Sequence, residues 1–247
     1  MPSGTMQRVL VVVPAWNEER SLPAVLDEIR THLPGVDVLV VNDGSSDRTS
    51  AVARAAGVPV LDLPFNLGVG GAMRAGFRYA VEERYDAVVQ VDADGQHDPA
   101  DVTRIVERLE EHDVVIGARF AGTGEYDVGG PRRWAMQVLA GVLSRLAGTR
   151  LTDTTSGFRA AGPRAVRLFA VHYPAEYLGD TVESLVIAIR SGLSVGQIGV
   201  SMRERTAGRP SQRPLRAALY LLRACLALVL SLARRRTPLG PPEAGIA

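Results

Sequence analysis

At 247 residues, 46% hydrophobic and 22% charged, the chain can bury a full α/β core within one domain and has the composition of an ordinary globular protein. A single cysteine, Cys225, excludes an intrachain disulfide framework and makes a reducing compartment the default. The formal net charge of +1 hides an asymmetry: residues 203–236 carry nine arginines against one acid, Glu204, while the body up to residue 202 is net acidic. All 28 basic residues are arginine.

Residues 1–7 are polar and the apolar run 8–13 is too short for a signal-peptide core, so no secretory leader is expected. That run is β-branched, ends at Pro14 and predicts a first strand. Leu22, Val25, Leu26 and Ile29 have helical spacing within 18–32, with Pro23 tolerable only in the first turn. A strand over 36–41, a helix over 46–56 ended by Gly57, a strand over 58–63 and a helix over 70–84 follow. A strand over 87–91, a helix over 99–112 and a strand over 114–116 continue the alternation. Strands alternating with helices predict a mostly parallel sheet covered on both faces. After residue 118 the pattern breaks into a glycine-rich stretch, 120–130, expected to be a mobile loop. A helix over 131–148, a break at 156–158, a helix from Pro163, a helix over 180–190 and a strand over 195–202 complete the body, without internal repeats.

Residues 214–233 are nearly all Leu, Ala and Val, with Arg213, Arg216, Tyr220, Arg223, Ser231 and Arg234 on one helical stripe. About 20 residues suffice to cross a bilayer, but a mid-segment arginine costs about 2.5–3.5 kcal/mol at its centre. An interfacial helix over 213–236, with Arg234, Arg235 and Arg236 drawn to anionic lipid, fits better. Burial in a dimer or against the sheet is the competing reading. The Pro-rich tail 237–247 is expected to be disordered.

The most informative stretch is 88–99, VVQVDADGQHDP. An apolar strand ends in Asp92 and Asp94, at the carboxyl edge where open α/β sheets bind ligands. Two such carboxylates suit Mg²⁺ or Mn²⁺, which would in turn hold substrate phosphates. Asp98 and Pro99 suit the N-cap and first position of the next helix. At the other strand ends, Asp43 is placed to accept from a ribose hydroxyl or a base N–H. Ser45, Ser46 and Asp47 suit turn and capping roles, and residues 66–71 form a Gly-rich helix entry whose N–H groups could face an anion. The glycines do not make a dinucleotide fingerprint, no lysine is available for a P-loop, and neither Ser156 nor Cys225 lies in a nucleophile motif.

In order and spacing, residues 14–19, 40–49, 66–71 and 89–99 resemble the family 2 glycosyltransferases of the GT-A fold. With Asp153–Arg159 and the 203–212 segment, they resemble more narrowly the polyprenyl-phosphate, dolichol-phosphate-mannose-synthase-like branch. The likeness spans about 8–212, taken as a catalytic domain over 1–212. It departs from the branch where the third motif lacks its usual lysine and where Gly208–Gln212 replace a Gly-x-Ser-Lys pattern.

The resemblance implies metal-dependent, inverting transfer of a sugar from a UDP- or GDP-linked donor. Asp92, Asp94 and Gln96 would hold the metal on the diphosphate, and Pro14, Asn17, Glu18, Asp43, Asn66 and Gly71 would line the nucleotide side. A hydroxyl acceptor needs a general base. A polyprenyl phosphate, largely dianionic near neutrality, needs cationic positioning instead. Arg119, Arg132, Arg133, Arg159 and Arg205 are the candidates, with Asp94, Arg119, Arg133 and Asp153 nearest the chemistry and Asp153 orienting an arginine. The expected setting is the cytoplasmic face of the cell membrane, reached peripherally. A small membrane protein or a second copy of the chain is an open partner, and nucleic acid is not expected. Transfer to a soluble or cell-wall hydroxyl, and a non-catalytic nucleotide-sugar-binding subunit, are the alternatives.

Overall fold

A computed structural model describes residues 8–119, 131–174 and 180–203, with the side chains of 119 and 131–135 left aside. The predicted mostly parallel sheet is present. Its strands are β1 (Val9–Ala15), β2 (Asp37–Asn42), β3 (Val60–Asp62), β4 (Ala87–Gln90), β5 (Val114–Arg119), β6 (Arg159–Ala161) and β7 (Val195–Val200), in spatial order β3-β2-β1-β4-β6-β5-β7. All neighbouring pairs are parallel except those of β6, which runs antiparallel between β4 and β5. This strand was not predicted. It is three residues long and follows the Ser156-Gly157 break, too short for any period to register.

The helices are α1 (Leu22–His32), α2 (Thr49–Ala55), α3 (Gly68–Glu82), α4 (Val102–Glu107), α5 (Pro131–Ala147), α6 (Pro163–His172) and α7 (Asp180–Arg190). The first begins four residues later than predicted, because Pro23 must sit in its opening turn. The predicted helix over 99–112 is α4 flanked by two single 3-10 turns, and Asp98 caps it by accepting from the Ala100 N–H at 3.0 Å.

Alternation along each strand splits the core in two. Leu10, Val12, Leu39 and Val41 face α3, α6 and α7, while Val11, Val13 and Val40 face α1, α2 and α4. On the first side Gly76 of α3 lies so close to β1 that a Cβ there would stand 2.7 Å from Val12. On the second, Leu22, Val25, Leu26 and Ile29 are buried, as their spacing predicts.

The same parallel strands send their carboxyl ends to one edge, and the loops there are cross-braced. The Asp43 N–H bonds the Ala15 carbonyl at 2.9 Å. Gly44 turns at φ +64 against the 65–66 backbone, where a Cβ would meet Phe65 C at 2.6 Å and Asn66 N at 2.7 Å. Neither constraint yields to a side-chain shift. Gly44→Ala is therefore expected to cost about 2 kcal/mol or more, lowering the thermal midpoint by about 4–8 °C, as read by circular dichroism.

Candidate active site at the carboxyl edge of the sheet

The loop after β1 is laced to the loop after β2. Asn17, at φ 55, donates its N–H to Ser45 Oγ at 2.9 Å, and its Oδ1 accepts from the Ser46 N–H at 2.8 Å. The Glu18 N–H bonds Thr49 Oγ1 at 2.9 Å, and Asp47 Oδ1 accepts from the Thr49 N–H at 2.9 Å, capping α2 as its sequence position suggests. Pro14 lies within β1, in register with Val41.

Asp43 is buried, and both carboxylate oxygens serve the start of α3: Oδ1 accepts from the Leu67 N–H at 2.7 Å and Oδ2 from the Gly68 N–H at 2.8 Å. Asn66 Oδ1 shares the Gly68 N–H at 3.1 Å. Burial raises the Asp43 carboxyl above its ordinary value, and the two backbone donors oppose that shift. Asp43 and Asn66 thus meet at a helix N-terminus that they themselves occupy. Gly71 lies one turn further into α3, against Leu67. Trp16, Phe65, Leu67 and Val69 stay exposed on these loops.

Asp92 and Asp94 leave β4 in a tight turn. Asp94 is buried and accepts from the Gln96 N–H at 3.0 Å, with Gly95 at φ 76 making the bend. Asp92 is one-third exposed (33% of its side chain), its Oδ1 accepting from Gln90 Nε2 at 2.8 Å and its Oδ2 standing 3.6 Å from His97 Nε2. Among the described residues no group of three or more His, Cys, Asp or Glu could enclose an ion. Asp92, Asp94 and Gln96 lie within one turn of chain and offer hard oxygen donors. That is the set Mg²⁺ or Mn²⁺ accepts when phosphate oxygens and water complete its coordination.

The loop before β6 forms the opposite wall. Asp153 is buried, and its Oδ1 accepts from Thr155 Oγ1 at 3.0 Å. Ser156 Oγ donates to the Gly117 carbonyl at 2.6 Å. Arg159, counted above among the phosphate-binding candidates, is buried in the structure. Its guanidinium is buried, with Nε on the Ser156 carbonyl (2.7 Å), Nη2 on the Thr154 carbonyl (2.8 Å) and Nη1 on the Thr181 carbonyl (2.6 Å) and Ser184 Oγ (3.0 Å). These four bonds tie the 154–156 loop to the start of α7.

Asp180, at the start of α7, has no place in the motifs and was not anticipated. Burial pushes its carboxyl up to about 6, the nearby Arg159 charge opposes that, and Asp92 adds to it. Its Cβ is 3.1 Å from where a Cβ on Gly70 would lie, so α3, α7 and the end of β4 meet here. Arg119 ends β5, and Arg132 and Arg133 open α5, but their side chains lie outside those described. Arg205, the 120–130 segment, the 213–236 helix and the 237–247 tail fall outside the described residues.

Set beside known proteins, residues 10–172 match the family described as "Glycosyl transferase family 2". The chain is 37% identical over 211 residues to an undecaprenyl-phosphate mannosyltransferase of Micrococcus luteus, covering 81% of this chain and 86% of the relative. It is 30% identical over 227 residues to a polyprenol monophosphomannose synthase of Mycolicibacterium smegmatis, covering 87% and 85%. Glucosyl-3-phosphoglycerate synthase of Mycobacterium tuberculosis, solved with Mn²⁺, UDP and phosphoglyceric acid, superposes with a TM-score of 0.70 at 22% identity, covering 93% of this chain and 80% of that one. The fold and the strand-end site define a GT-A nucleotide-sugar-dependent glycosyltransferase. The chain belongs to glycosyltransferase family 2.

Two outcomes follow from this geometry. Arg159→Leu strands the buried Ser156 and Thr154 carbonyls at about 1–3 kcal/mol each, while the Thr181 carbonyl keeps Ser184 Oγ, and Arg159→Lys fails to rescue because an ammonium cannot span them; chemical denaturation measures both. For Asp180 the carboxyl is raised from 3.8 to about 6, so the folded state favours its protonated form. The contribution of this one group to stability is full below pH 4 and is lost as pH rises through 6, about 3 kcal/mol in all, while Asp180→Asn lacks this component. The difference between the two proteins in EDTA, across pH 4–7, measures it.

Proposed function

We propose that this glycosyltransferase moves a sugar from a UDP- or GDP-linked donor to a polyprenyl phosphate at a membrane surface, with inversion and with Mg²⁺ or Mn²⁺. The observation that carries the reading is the turn of oxygen donors at the end of β4. Asp94 is fixed by its own turn, Asp92 is partly open, and nothing among the described residues closes the rest of the coordination sphere. A phosphate-bearing donor, with water, would supply the remaining oxygens. Polyprenyl phosphate as acceptor is supported by the two relatives named above, which are described as undecaprenyl-phosphate and polyprenol-phosphate mannosyltransferases.

In this reading Asp92, Asp94 and Gln96 hold the ion, which offsets charge on the departing diphosphate. Pro14, Asn17, Glu18 and Asp43 set the nucleotide pocket, Asp43 retaining lone pairs beyond those used by Leu67 and Gly68. The Leu67 and Gly68 N–H groups at the entry of α3 are already taken by Asp43, with Asn66 sharing the second, so these two donors do not face an anion. An oxygen of the acceptor phosphate attacks the anomeric carbon from the face opposite the diphosphate. The new C–O bond forms as the old one breaks, which inverts the centre. The nucleophile is already anionic, so no proton needs to be removed. Arg119, Arg132, Arg133 and Arg205 are the cations proposed to hold it, with Asp153 orienting one of them.

No helix among the described residues is long and apolar enough to cross a membrane. The catalytic domain is taken as 1–212, and the basic amphipathic sequence over 213–236 is the proposed means of peripheral docking on the cytoplasmic face. One observation favours a second reading, transfer to a hydroxyl: Asp180 offers a carboxyl beside Asp92 with the proton affinity of a general base.

A lipid-product assay with a short polyprenyl phosphate separates these. Product requires Mn²⁺ or Mg²⁺, and Asp94→Asn lowers the rate by on the order of 10²–10³-fold. Asp180→Asn retains transfer to phosphate. Absence of lipid product from every common UDP- and GDP-sugar would overturn the proposal.

A further inference from the structure

We propose that His97 and Gln90 are positioning residues that set the carboxylate of Asp92 before any ligand arrives, with Gly157 as the wall that keeps it there. The inference rests on the reading of Asp92 as a ligand of the metal–diphosphate centre. Gln90, buried at the end of β4, donates Nε2–H to Asp92 Oδ1 at 2.8 Å. His97 acts on the same residue twice. Its Nδ1 accepts the backbone N–H of Asp92 at 3.0 Å, so that nitrogen carries no proton. The ring hydrogen is then on Nε2, which faces Asp92 Oδ2 at 3.6 Å. One oxygen has a donor in place and the other a donor within closing distance.

The imidazole is itself held. It is buried and stacks on Phe158 with centroids 4.7 Å apart and planes 10° from parallel. The His97 backbone pairs with Met202 in an isolated antiparallel bridge, and the Gln96 carbonyl accepts from the Arg203 N–H at 3.0 Å. On the other side a Cβ at Gly157 would stand 3.0 Å from Gln90 Nε2 and 3.2 Å from Asp92 Oδ2, so a side chain there would crowd the pair. The Arg159 bonds to the Ser156 and Thr154 carbonyls keep that loop in place. Asp94, by contrast, is set by a bond inside its own turn. Asp92 is thus oriented by the end of its own strand on one side and by the anchored His97 on the other. Outer hydrogen bonds of this kind typically govern metal affinity by about 10–100-fold.

The test is Mn²⁺ binding followed by electron paramagnetic resonance in the presence of UDP or GDP, without acceptor, alongside the melting temperature in EDTA. Asp94→Asn abolishes binding if the site reading is right; intact binding in that variant overturns the reading itself. His97→Phe keeps the ring stack on Phe158 and removes both nitrogen contacts, and Gln90→Met removes the Oδ1 donor. Each is expected to weaken Mn²⁺ about 10–100-fold. In turnover the loss appears chiefly as a higher metal concentration for half-maximal rate. His97→Asn, which restores an acceptor for the Asp92 N–H, recovers part of it. If His97→Phe does not fold, Gln90→Met carries the test. Wild-type Mn²⁺ affinity in a folded Gln90→Met or His97→Phe protein, with Asp94→Asn inactive in binding, overturns the proposal alone.

Discussion

The buried guanidinium of Arg159 joins the sheet to the site, and most of the local architecture depends on it. It sits in the one strand that runs against its neighbours, paired to Gln90 on one side and Ile116 on the other. From there its planar donors reach the 154–156 loop and the first turns of α7 together. A rigid fork can satisfy carbonyls on two elements at once, which a flexible point charge cannot. The antiparallel insertion, the loop facing Asp92 and the approach of α7 are in this sense one feature. The buried charge is offset by carbonyl dipoles and by the field of Asp180, whose carboxyl it holds lower than burial alone would.

The carboxylates at the strand ends are each accommodated by a different physical device. Asp43 is neutralised by two N–H groups of a helix start, and Asp94 by its own turn. Asp180 is left to burial, which favours its protonated form. Asp92 alone combines neutral donors with a one-third exposed side chain. Negative potential at this edge is therefore concentrated outward through Asp92. A polyanionic donor would meet repulsion there, which is the electrostatic ground for the divalent cation proposed above.

Much of this was legible from residue order. The β-branched runs and the helical spacing of Leu22, Val25, Leu26 and Ile29 report burial on a period, and the elements they predict are present. Asp98 and Asp47 cap helices as short polar side chains before a helix should. What escaped is non-local. β6 exists because β4 and β5 offer it two open edges, not because Arg159-Ala160-Ala161 has strand character of its own. A motif arginine looks the same in sequence whether its fork faces solvent or three carbonyls, and only packing distinguishes them. Gln90 carried a faint signal, a polar residue inside an otherwise apolar strand. Asp180 carried none, since its significance comes from α7 meeting α3 and β4 in space.

The basic surplus of the C-terminal segment begins at Arg203, and the structure divides its first member from the rest. The Arg203 N–H holds the Gln96 carbonyl, and its guanidinium binds Glu28 of α1 at 2.6 Å and Asp98 at 2.9 Å. Those two carboxylates raise its already high proton affinity and neutralise it locally. Arg203 thus fastens the end of the body to the loop that carries Asp92 and Asp94, and has no charge to spare for a lipid phosphate. Arg159 is occupied in the same way from the other side. With Arg203 engaged in this way, the cations proposed for an anionic acceptor are Arg119, Arg132, Arg133 and Arg205. The first three flank the segment between β5 and α5, and the last follows the Arg203 anchor by two residues. The proposed acceptor cations therefore come from two separate stretches of the sequence, and holding a phosphate in line with a departing diphosphate would call for charges from more than one direction.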